Sequence, residues 1–151
     1  MIKTEDELNK SIIKILSNGN KSFAAIAEDL GVTENTIRSR VNRLVEDGIL
    51  TIAGFVDVSK MDNIQLAYMG VKSKTLDLEL VASKVMKLAG VVNCAIVTGK
   101  YDLLLTIQLD STEKMSLLDF FKNKLNNIEE ISEVETFIVY HSYDLKIPYK
   151  F

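Results

Sequence analysis

The chain has 151 residues, 47% of them apolar, and a formal net charge of -3, a composition typical of a packed globular protein and not of a disordered one. It contains no run of about 18 uncharged apolar residues, and acids occupy the N-terminal stretch MIKTEDELNK, where a signal peptide would be apolar. We therefore expect a cytoplasmic protein with no membrane partner. The acidic balance also predicts no general attraction to nucleic acid, so any nucleic-acid-binding face must be local.

Three helices are predicted in the first third of the chain. Apolar residues recur at helical spacing over residues 5–17, which predicts the first helix. Ser22 is a suitable N-cap for a short second helix that ends at Gly31, and Thr33 caps a third helix over residues 34–47. Because so few residues separate the second and third helices, the pattern is typical of a helix-turn-helix.

The segment ILTIAGFVDV follows, with β-branched and aromatic residues on both sides of Gly54. This composition predicts a short two-stranded wing. Residues 1–58 are therefore predicted to form a winged helix-turn-helix domain, and the polar residues 59–63 a joint.

The rest of the chain, residues 64–151, predicts a second domain with the element order βαββαβ. The elements in order are a strand IQLAYMGVKS, a helix over residues 77–89, the strands VVNCAIVT and LLLTIQLD, a helix over residues 112–126, and a strand VETFIVYHS. A weak internal repeat at a spacing of 42 residues lays Val92, Ile96 and Tyr101 on Val134, Ile138 and Tyr143. The predicted fold class is α+β, with a ferredoxin-like antiparallel sheet that carries both helices on one face.

The strands of this sheet are more apolar than one buried face requires. The clearest run is Leu103, Leu104, Leu105 and Ile107. We expect the second face of the sheet to be buried against another copy of the protein. The alternative is a cover formed by the C-terminal tail LKIPYKF.

Arginine is confined to the third helix: all three arginines lie within six positions, whereas fifteen lysines are spread over the chain. On a helical wheel, Ile37, Val41 and Leu44 face the domain core, and no acid occurs between Asn35 and Val45. The opposite side carries short polar groups, side chains that can form bidentate hydrogen bonds, and flanking cations. This composition predicts recognition of double-stranded DNA in the major groove. Its candidate DNA-binding residues are Asn35, Thr36, Arg38, Ser39, Arg40, Asn42 and Arg43, with Arg38 and Arg40 on the two flanks. The alternative is a solvated helix face.

The turn VTGKYDLLL joins the two central strands of the second domain. Gly99 gives the backbone freedom that a tight turn needs. Asp102 is either a turn cap or the partner of an ammonium group, and Tyr101 is either a strand-end aromatic or part of a site. Together with free backbone N–H groups beside Gly99, the second interpretation describes a site for an α-amino acid.

The order of these parts resembles the Lrp/AsnC, or feast/famine, family of prokaryotic transcription regulators over essentially the whole chain. The resemblance is carried by AAIAEDLGVTENTIRSRVNRLVEDGIL, by the G-x-Y-D turn at Gly99 to Asp102, and by VETFIVYHS. It implies a DNA-binding regulator that forms dimers through the sheets, with octamers of four dimers as the larger assembly. It also implies that an amino acid or related effector binds near the turn and the last strand and alters assembly or DNA affinity. The effector-site candidates that the resemblance implies are Gly99, Lys100, Tyr101, Asp102 and Thr136.

Two features depart from the family pattern. Asn35 stands where many members have proline, which should change little in the first turn of a helix. Lys100 occupies the variable position of G-x-Y-D, and Glu133 and Glu135 stand near Thr136. The charge of this site differs from what the hydrophobic amino acids, the commoner effectors of the family, require. The sequence therefore does not identify the effector.

Two other functions compete with DNA regulation. Some relatives of the family are enzymes that act on tetrapyrroles. Such chemistry needs a general acid or base and cationic side chains that bind the carboxylates of the substrate. The only histidine, His141, lies on a strand with alternating polarity, where a structural role is the usual one. A sensing module without DNA binding would leave the arginines of the third helix unexplained. We expect no catalytic residue and no cofactor other than the amino acid effector. We expect no metal site, because His141 and Cys94 are the only nitrogen and sulfur ligands of the usual kind.

Overall fold

A computed structural model of the chain describes residues 6–19, 21–110 and 116–148. The structure divides into two compact units, residues 1–53 and 54–151. The predicted boundary at residue 58 and the joint at residues 59–63 therefore fall inside the second unit. Val58 is buried there, within a short 3-10 turn formed by Val58–Lys60.

The first unit contains three helices: α1 (Glu7–Ser17), α2 (Phe23–Leu30) and α3 (Glu34–Glu46). Their apolar edges form one core around the fully buried residues Ile12, Ile26 and Ile37. The predicted helix-turn-helix is confirmed. Glu5, the expected start of the first helix, lies outside the described residues.

The predicted wing is wrong. Within residues 49–58, only Phe55–Asp57 forms a strand, β1, and its partner is not local. It pairs antiparallel with β6 (Lys146–Pro148), so that Val56 lies opposite Ile147. The β-branched segment does take up extended structure, but its hydrogen-bonding partner comes from the C-terminal tail, and Gly54 is not the turn of a hairpin.

The second unit has the predicted βαββαβ order in its main sheet. Its elements are β2 (Ile64–Ser73), α4 (Leu78–Val85), β3 (Val91–Ile96), β4 (Leu103–Asp110), α5 (Leu117–Asn123) and β5 (Ile131–Ile138). The strand order is β3-β4-β2-β5, and all neighbouring pairs are antiparallel.

Several predicted element bounds are corrected. The fourth helix ends at Val85, four residues early, because the chain turns there to reach β3 through Gly90, which has a φ of 94°. The last helix stops at Asn123 and continues as the 3-10 turn Leu125–Asn127; its expected start, Thr112, lies outside the described residues. The fifth strand is shifted toward the N-terminus, since Ile131 already pairs with Ser73.

Both helices lie on one face of the sheet, as predicted. Val81 and Val85 of α4 and Phe120 of α5 share a core with alternate residues of the central strands, such as Met69 and Leu105. Side chains alternate between the two faces of a strand, so Tyr68, Leu104 and Thr106 point to the other face.

Among the residues that the structure describes, those that cover the second face of the sheet lie at one end of it. There, Ile147 of β6 packs with Val58, Leu66 and Val92. Toward the other end, Tyr68, Leu104 and Phe137 remain 41%, 42% and 49% exposed. The C-terminal tail therefore covers part of this face, and an apolar remainder faces outward.

Candidate DNA-binding helix and effector-binding turn

Local signals set the position of α3. Gly31 ends α2 in the left-handed conformation, with a φ of 65°. The Oγ1 of Thr33 accepts a hydrogen bond from the backbone N–H of Thr36 at 3.2 Å, which satisfies one of the free donors at the start of the helix. The Thr36 hydroxyl also lies 2.8 Å from that of Thr33. Thr36 is therefore half-buried and engaged in the cap, so it contributes less to the exposed face than predicted.

The exposed side of α3 carries the predicted polar face. A shallow groove of about 380 Å³ runs along it and is lined by Asn35, Arg38, Ser39, Asn42, Arg43 and Glu46. Arg43 forms no salt bridge with any residue that the structure describes. Its guanidinium thus lies uncommitted beside amide and hydroxyl groups, an arrangement that suits contact with base edges.

Arg38 lies on one flank and is partly engaged. Its guanidinium forms a salt bridge with Glu34, one turn earlier, at 2.6 Å. It also lies 5.4 Å from the centre of the Phe23 ring, within the range of a cation–π contact. These contacts hold the side chain beside the N-terminal end of α3 while leaving it exposed.

Arg40 lies on the other flank, where the structure places α1. Its guanidinium donates to the carboxylate of Asp6 and, at 3.1 Å, to the side-chain oxygen of Asn9, which is fully buried. The hydrogen bond from Arg40 is the main reason why the pKa of Asp6 lies below its usual value. Arg40 thus joins α1 to α3, a role that the helical wheel did not reveal because it does not show on which side the neighbouring helix packs.

In the second unit, Asp102 fixes the Gly99 turn to the end of β2. Its carboxylate accepts a hydrogen bond from the backbone N–H of Ser73 at 2.8 Å, and its own N–H donates to the carbonyl of Val71 at 2.9 Å. Gly99 has a φ of 133°, which L side chains rarely adopt. One oxygen of Asp102 therefore binds the backbone of β2, whereas the first of the two interpretations predicted a cap within the turn itself.

Tyr101 lies flat over the backbone of β2 at Gly70. A Cβ atom added to that glycine would lie 2.6 Å from the tyrosine ring, so the close contact requires glycine. The Tyr101 hydroxyl is buried and has no hydrogen-bond partner among the described residues. Because burying an unpaired hydroxyl is costly, this oxygen is the atom in the turn that most needs a partner.

Lys100 covers the same corner of the sheet. Its ammonium group pairs with Glu135 at 2.5 Å and lies 5.0 Å from the centre of the Tyr101 ring. At a neighbouring pair of positions on β2 and β5, the ammonium group of Lys72 lies 3.2 Å from the carboxylate of Glu133. The acids that the sequence places near this site are therefore both matched by lysines.

Thr136 is the one effector-site candidate that the structure does not bring together with the others. It is paired with Met69 in the sheet, next to Glu135, so its side chain points to the helix-covered face. Its hydroxyl is also buried without a partner among the described residues. The four residues of the turn and Thr136 thus lie on opposite faces of the sheet.

His141 and Cys94 are the two residues considered above as nitrogen and sulfur ligands. His141 packs against Tyr143 with ring centres 4.8 Å apart, and burial raises the pKa of the Cys94 thiol, which makes it a poorer nucleophile. No group of three His, Cys, Asp or Glu residues in the described part of the chain is placed to hold a metal ion. None of the helices described is both long and apolar enough to span a bilayer.

Comparison with known proteins agrees with this two-part geometry. The model of the Lrp/AsnC ligand binding domain matches residues 66–146, more than half of the chain, and the model of the AsnC-type helix-turn-helix domain matches residues 6–45. The chain belongs to the Lrp/AsnC family of transcription regulators. The HTH-type transcriptional regulator FL11 of Pyrococcus horikoshii is 30% identical over 149 residues, which cover 96% of this chain and 97% of that relative.

Solved structures of Lrp/AsnC proteins share the fold. AsnC of E. coli has a TM-score of 0.69 and 26% identity, covering 93% of this chain and 95% of its own. The regulator NMB0573 of Neisseria meningitidis, solved as a complex with L-Met, has a TM-score of 0.69 and 21% identity, with coverage of 97% and 95%. At that identity, the second likeness shows the fold alone.

Proposed function

We propose that this Lrp/AsnC protein binds DNA sequence-specifically through α3, with Arg43 contacting base edges. The observation that carries the proposal is the exposed face of α3, where Arg43 lies uncommitted beside Asn35, Ser39 and Asn42. Arginine fits the guanine O6/N7 edge in bidentate fashion, and asparagine fits adenine.

Arg38 has a different role in this proposal. It lies on the flank of the groove and pairs with an exposed acid of its own helix. Such surface pairs contribute about 0.3–0.5 kcal/mol, so a DNA phosphate can replace Glu34 at small cost. Arg38 therefore contributes affinity that depends on salt and little on sequence.

Binding sites selected from a random duplex pool provide the test. Arg43→Ala should weaken binding to the selected site by about 1–3 kcal/mol and relax the preference at one base position. The matched control is Lys14→Ala, which removes one exposed cation from α1 and should change affinity only slightly. If Arg43→Ala keeps both the affinity and the sequence preference of the wild type, α3 does not read bases through this residue.

We further propose that an amino acid or related small effector binds at the Gly99 turn and alters assembly or DNA affinity. The buried Tyr101 hydroxyl without a described partner supports the position. The L-Met complex of a structural neighbour supports the class of ligand. The paired lysines and glutamates around the turn make this a charged environment, which favours a polar effector over a hydrophobic one.

The effector proposal is tested by measuring DNA binding in the presence of each of the twenty amino acids in turn. Tyr101→Phe removes only the hydroxyl, so it should keep DNA affinity and weaken the response to the active amino acid about fivefold or more. Tyr143→Phe is the matched control, because Tyr143 is 90% exposed and lies outside the turn. An unchanged response in Tyr101→Phe would place the effector elsewhere.

We also propose that the protein assembles at least into a homodimer through the uncovered part of the sheet, with four dimers forming the octamer that the family resemblance implies. Tyr68, Leu104 and Phe137 form an outward-facing apolar surface on adjacent strands. Burial of such a surface against a second copy removes apolar area from water.

A further inference from the structure

A cavity in the second unit lies away from the Gly99 turn. It has a volume of about 700 Å³ and is walled by residues 58–59 and 61–66, by the end of β4 with the start of α5, and by residues 139–142. This volume is within the range of small-molecule sites. Its lining includes Ile64, which pairs with Asp110, whereas the turn adjoins the opposite end of β2, where Val71 pairs with Leu103. Seven residues of strand separate these ends by roughly 23 Å, so the cavity and the turn are separate sites.

One side of the cavity is apolar. Leu66 and Leu109 are almost completely buried and line it from the sheet, and Leu117 lines it from the first turn of α5. These side chains belong to two different hydrophobic clusters, one on each face of the sheet. The cavity therefore opens where the edges of both clusters meet, and its apolar wall suits the hydrocarbon part of a ligand.

The charged side chains in the part of the lining that the structure describes are all acidic. Asp62 and Asp119 border the cavity, and its described lining contains no lysine or arginine. Asp62 is exposed and forms no salt bridge with a described residue. Such a lining attracts a cation and repels a carboxylate or phosphate.

Asp119 is held as a carboxylate by the start of α5. It accepts a hydrogen bond from the backbone N–H of Ser116, and its own backbone N–H donates to the Ser116 hydroxyl oxygen, so that the two residues form a capping box. The Ser116 hydroxyl also donates to the Asp119 carboxylate. The bond from the Ser116 hydroxyl is the main reason why the pKa of Asp119 lies below its usual value. Its negative charge is therefore present at neutral pH, although both bonds from Ser116 end on its Oδ2 atom.

An aromatic residue lies at the mouth of the cavity. Tyr140 borders it and has a fully exposed side chain, at 101%. An exposed tyrosine face next to carboxylates can accept an ammonium group by a cation–π contact. Tyr140 is therefore the cation–π partner that the lining offers.

We propose that this cavity binds a small organic amine, with its apolar body against Leu66 and Leu109 and its ammonium group beside Asp62 and Tyr140. The ligand class is a primary amine on an aromatic or aliphatic body that lacks a carboxylate. This separates it from the amino acid effector proposed for the Gly99 turn.

The proposal is tested on the full chain by NMR, without DNA, using three probes that share an indole ring: tryptamine, indole-3-propionate and tryptophan. Tryptamine should give saturable shifts of the backbone amides of Asp62, Leu66 and His141, and indole-3-propionate should give none. If the two ligands bind equally, or if tryptophan binds as tightly as tryptamine, the charge selection is wrong. Tryptamine shifts confined to the Gly99 turn, or no saturation at millimolar concentration, overturn the site itself.

Asp62→Asn gives the matched test of the ammonium contact. It removes one negative charge from an exposed residue and should weaken tryptamine binding about fivefold, the usual upper effect of an exposed charge pair. Glu79→Gln removes a similar charge from the first turn of α4, outside the cavity lining, and is the control. Equal affinity in the two variants refutes the role of Asp62. This test does not depend on whether the protein binds DNA or an amino acid.

Discussion

Gly70→Ala is predicted to disturb the candidate effector site through a single methyl group. The added Cβ would lie 2.6 Å from Cγ and Cδ2 of Tyr101 and 2.7 Å from Cδ1. Ordinary van der Waals contact begins at 3.4 Å, so the ring must move away by about 0.8 Å. Cγ is the ring atom nearest the backbone, and the ring cannot clear the methyl group by swinging its far end alone. The movement therefore involves the turn that Asp102 holds to β2.

The cost follows from two opposing effects. Forcing an extra methyl group into a closely packed site costs about 1–3 kcal/mol. Replacing glycine with alanine inside a strand recovers about 0.5–1 kcal/mol of backbone entropy. The second unit should therefore lose about 0.5–2 kcal/mol of unfolding free energy.

Urea unfolding monitored by tyrosine fluorescence measures this loss, because all five tyrosines lie in the second unit and the chain has no tryptophan. Gly54→Ala is the control: a Cβ there would meet no atom within 4 Å, and the backbone is not left-handed. It should leave stability unchanged or slightly raised. If Gly70→Ala is as stable as Gly54→Ala, the ring does not lie on the strand as described. If Tyr101→Leu fails to relieve the cost of Gly70→Ala in the double variant, the clash has another origin.

Two further predictions test other parts of the molecule. Arg40→Ala should destabilise the first unit by about 1–3 kcal/mol in thermal or urea unfolding, because the buried oxygen of Asn9 loses its described donor. If the variant is as stable as the wild type, Arg40 does not link the two helices. The Arg40 contact lowers the pKa of Asp6 below the ordinary value of 3.8. The contribution of this ion pair to the stability of the first unit is therefore complete above pH 3.8 and is lost as the pH falls through the lowered pKa. Asp6→Asn should flatten this dependence of stability on acid pH. Leu104→Arg should convert the proposed dimer to monomers in sedimentation at micromolar concentration, whereas the control Leu118→Arg, 60% exposed on α5, should not. A dimer in both variants would mean that the interface does not include Leu104.

Elements with local signals were predictable from the sequence. Ser22 and Thr33 cap α2 and α3 at the expected positions, and β2 and β4 have the expected bounds. A cap is set by residues within one helical turn, and the pattern of a strand extends over its own length. The sequence therefore contains the information for these elements in short segments.

Features that depend on distant residues were not predictable in the same way. The wing failed because the partner of Phe55–Asp57 is Lys146–Pro148, at the far end of the chain. Strand composition shows that a segment needs a partner but does not identify it. For the same reason the sequence did not show that Ile147 covers one end of the second face of the sheet, or that Thr136 lies on the face opposite Tyr101.

The three arginines of α3 show how far composition alone can predict a binding surface. Composition places all three on one helix, but the structure gives each a different environment: Arg40 joins α1, Arg38 pairs with Glu34, and Arg43 faces the groove. A guanidinium bound to a buried amide must break that contact before it can reach DNA, whereas the exposed Glu34 pair is exchanged at a cost of about 0.3–0.5 kcal/mol. In the proposed complex the sequence preference of α3 therefore depends mainly on Arg43 and its neighbouring amides. Arg38 adds affinity that falls as salt rises, and Arg40 contributes only by holding the helix in place.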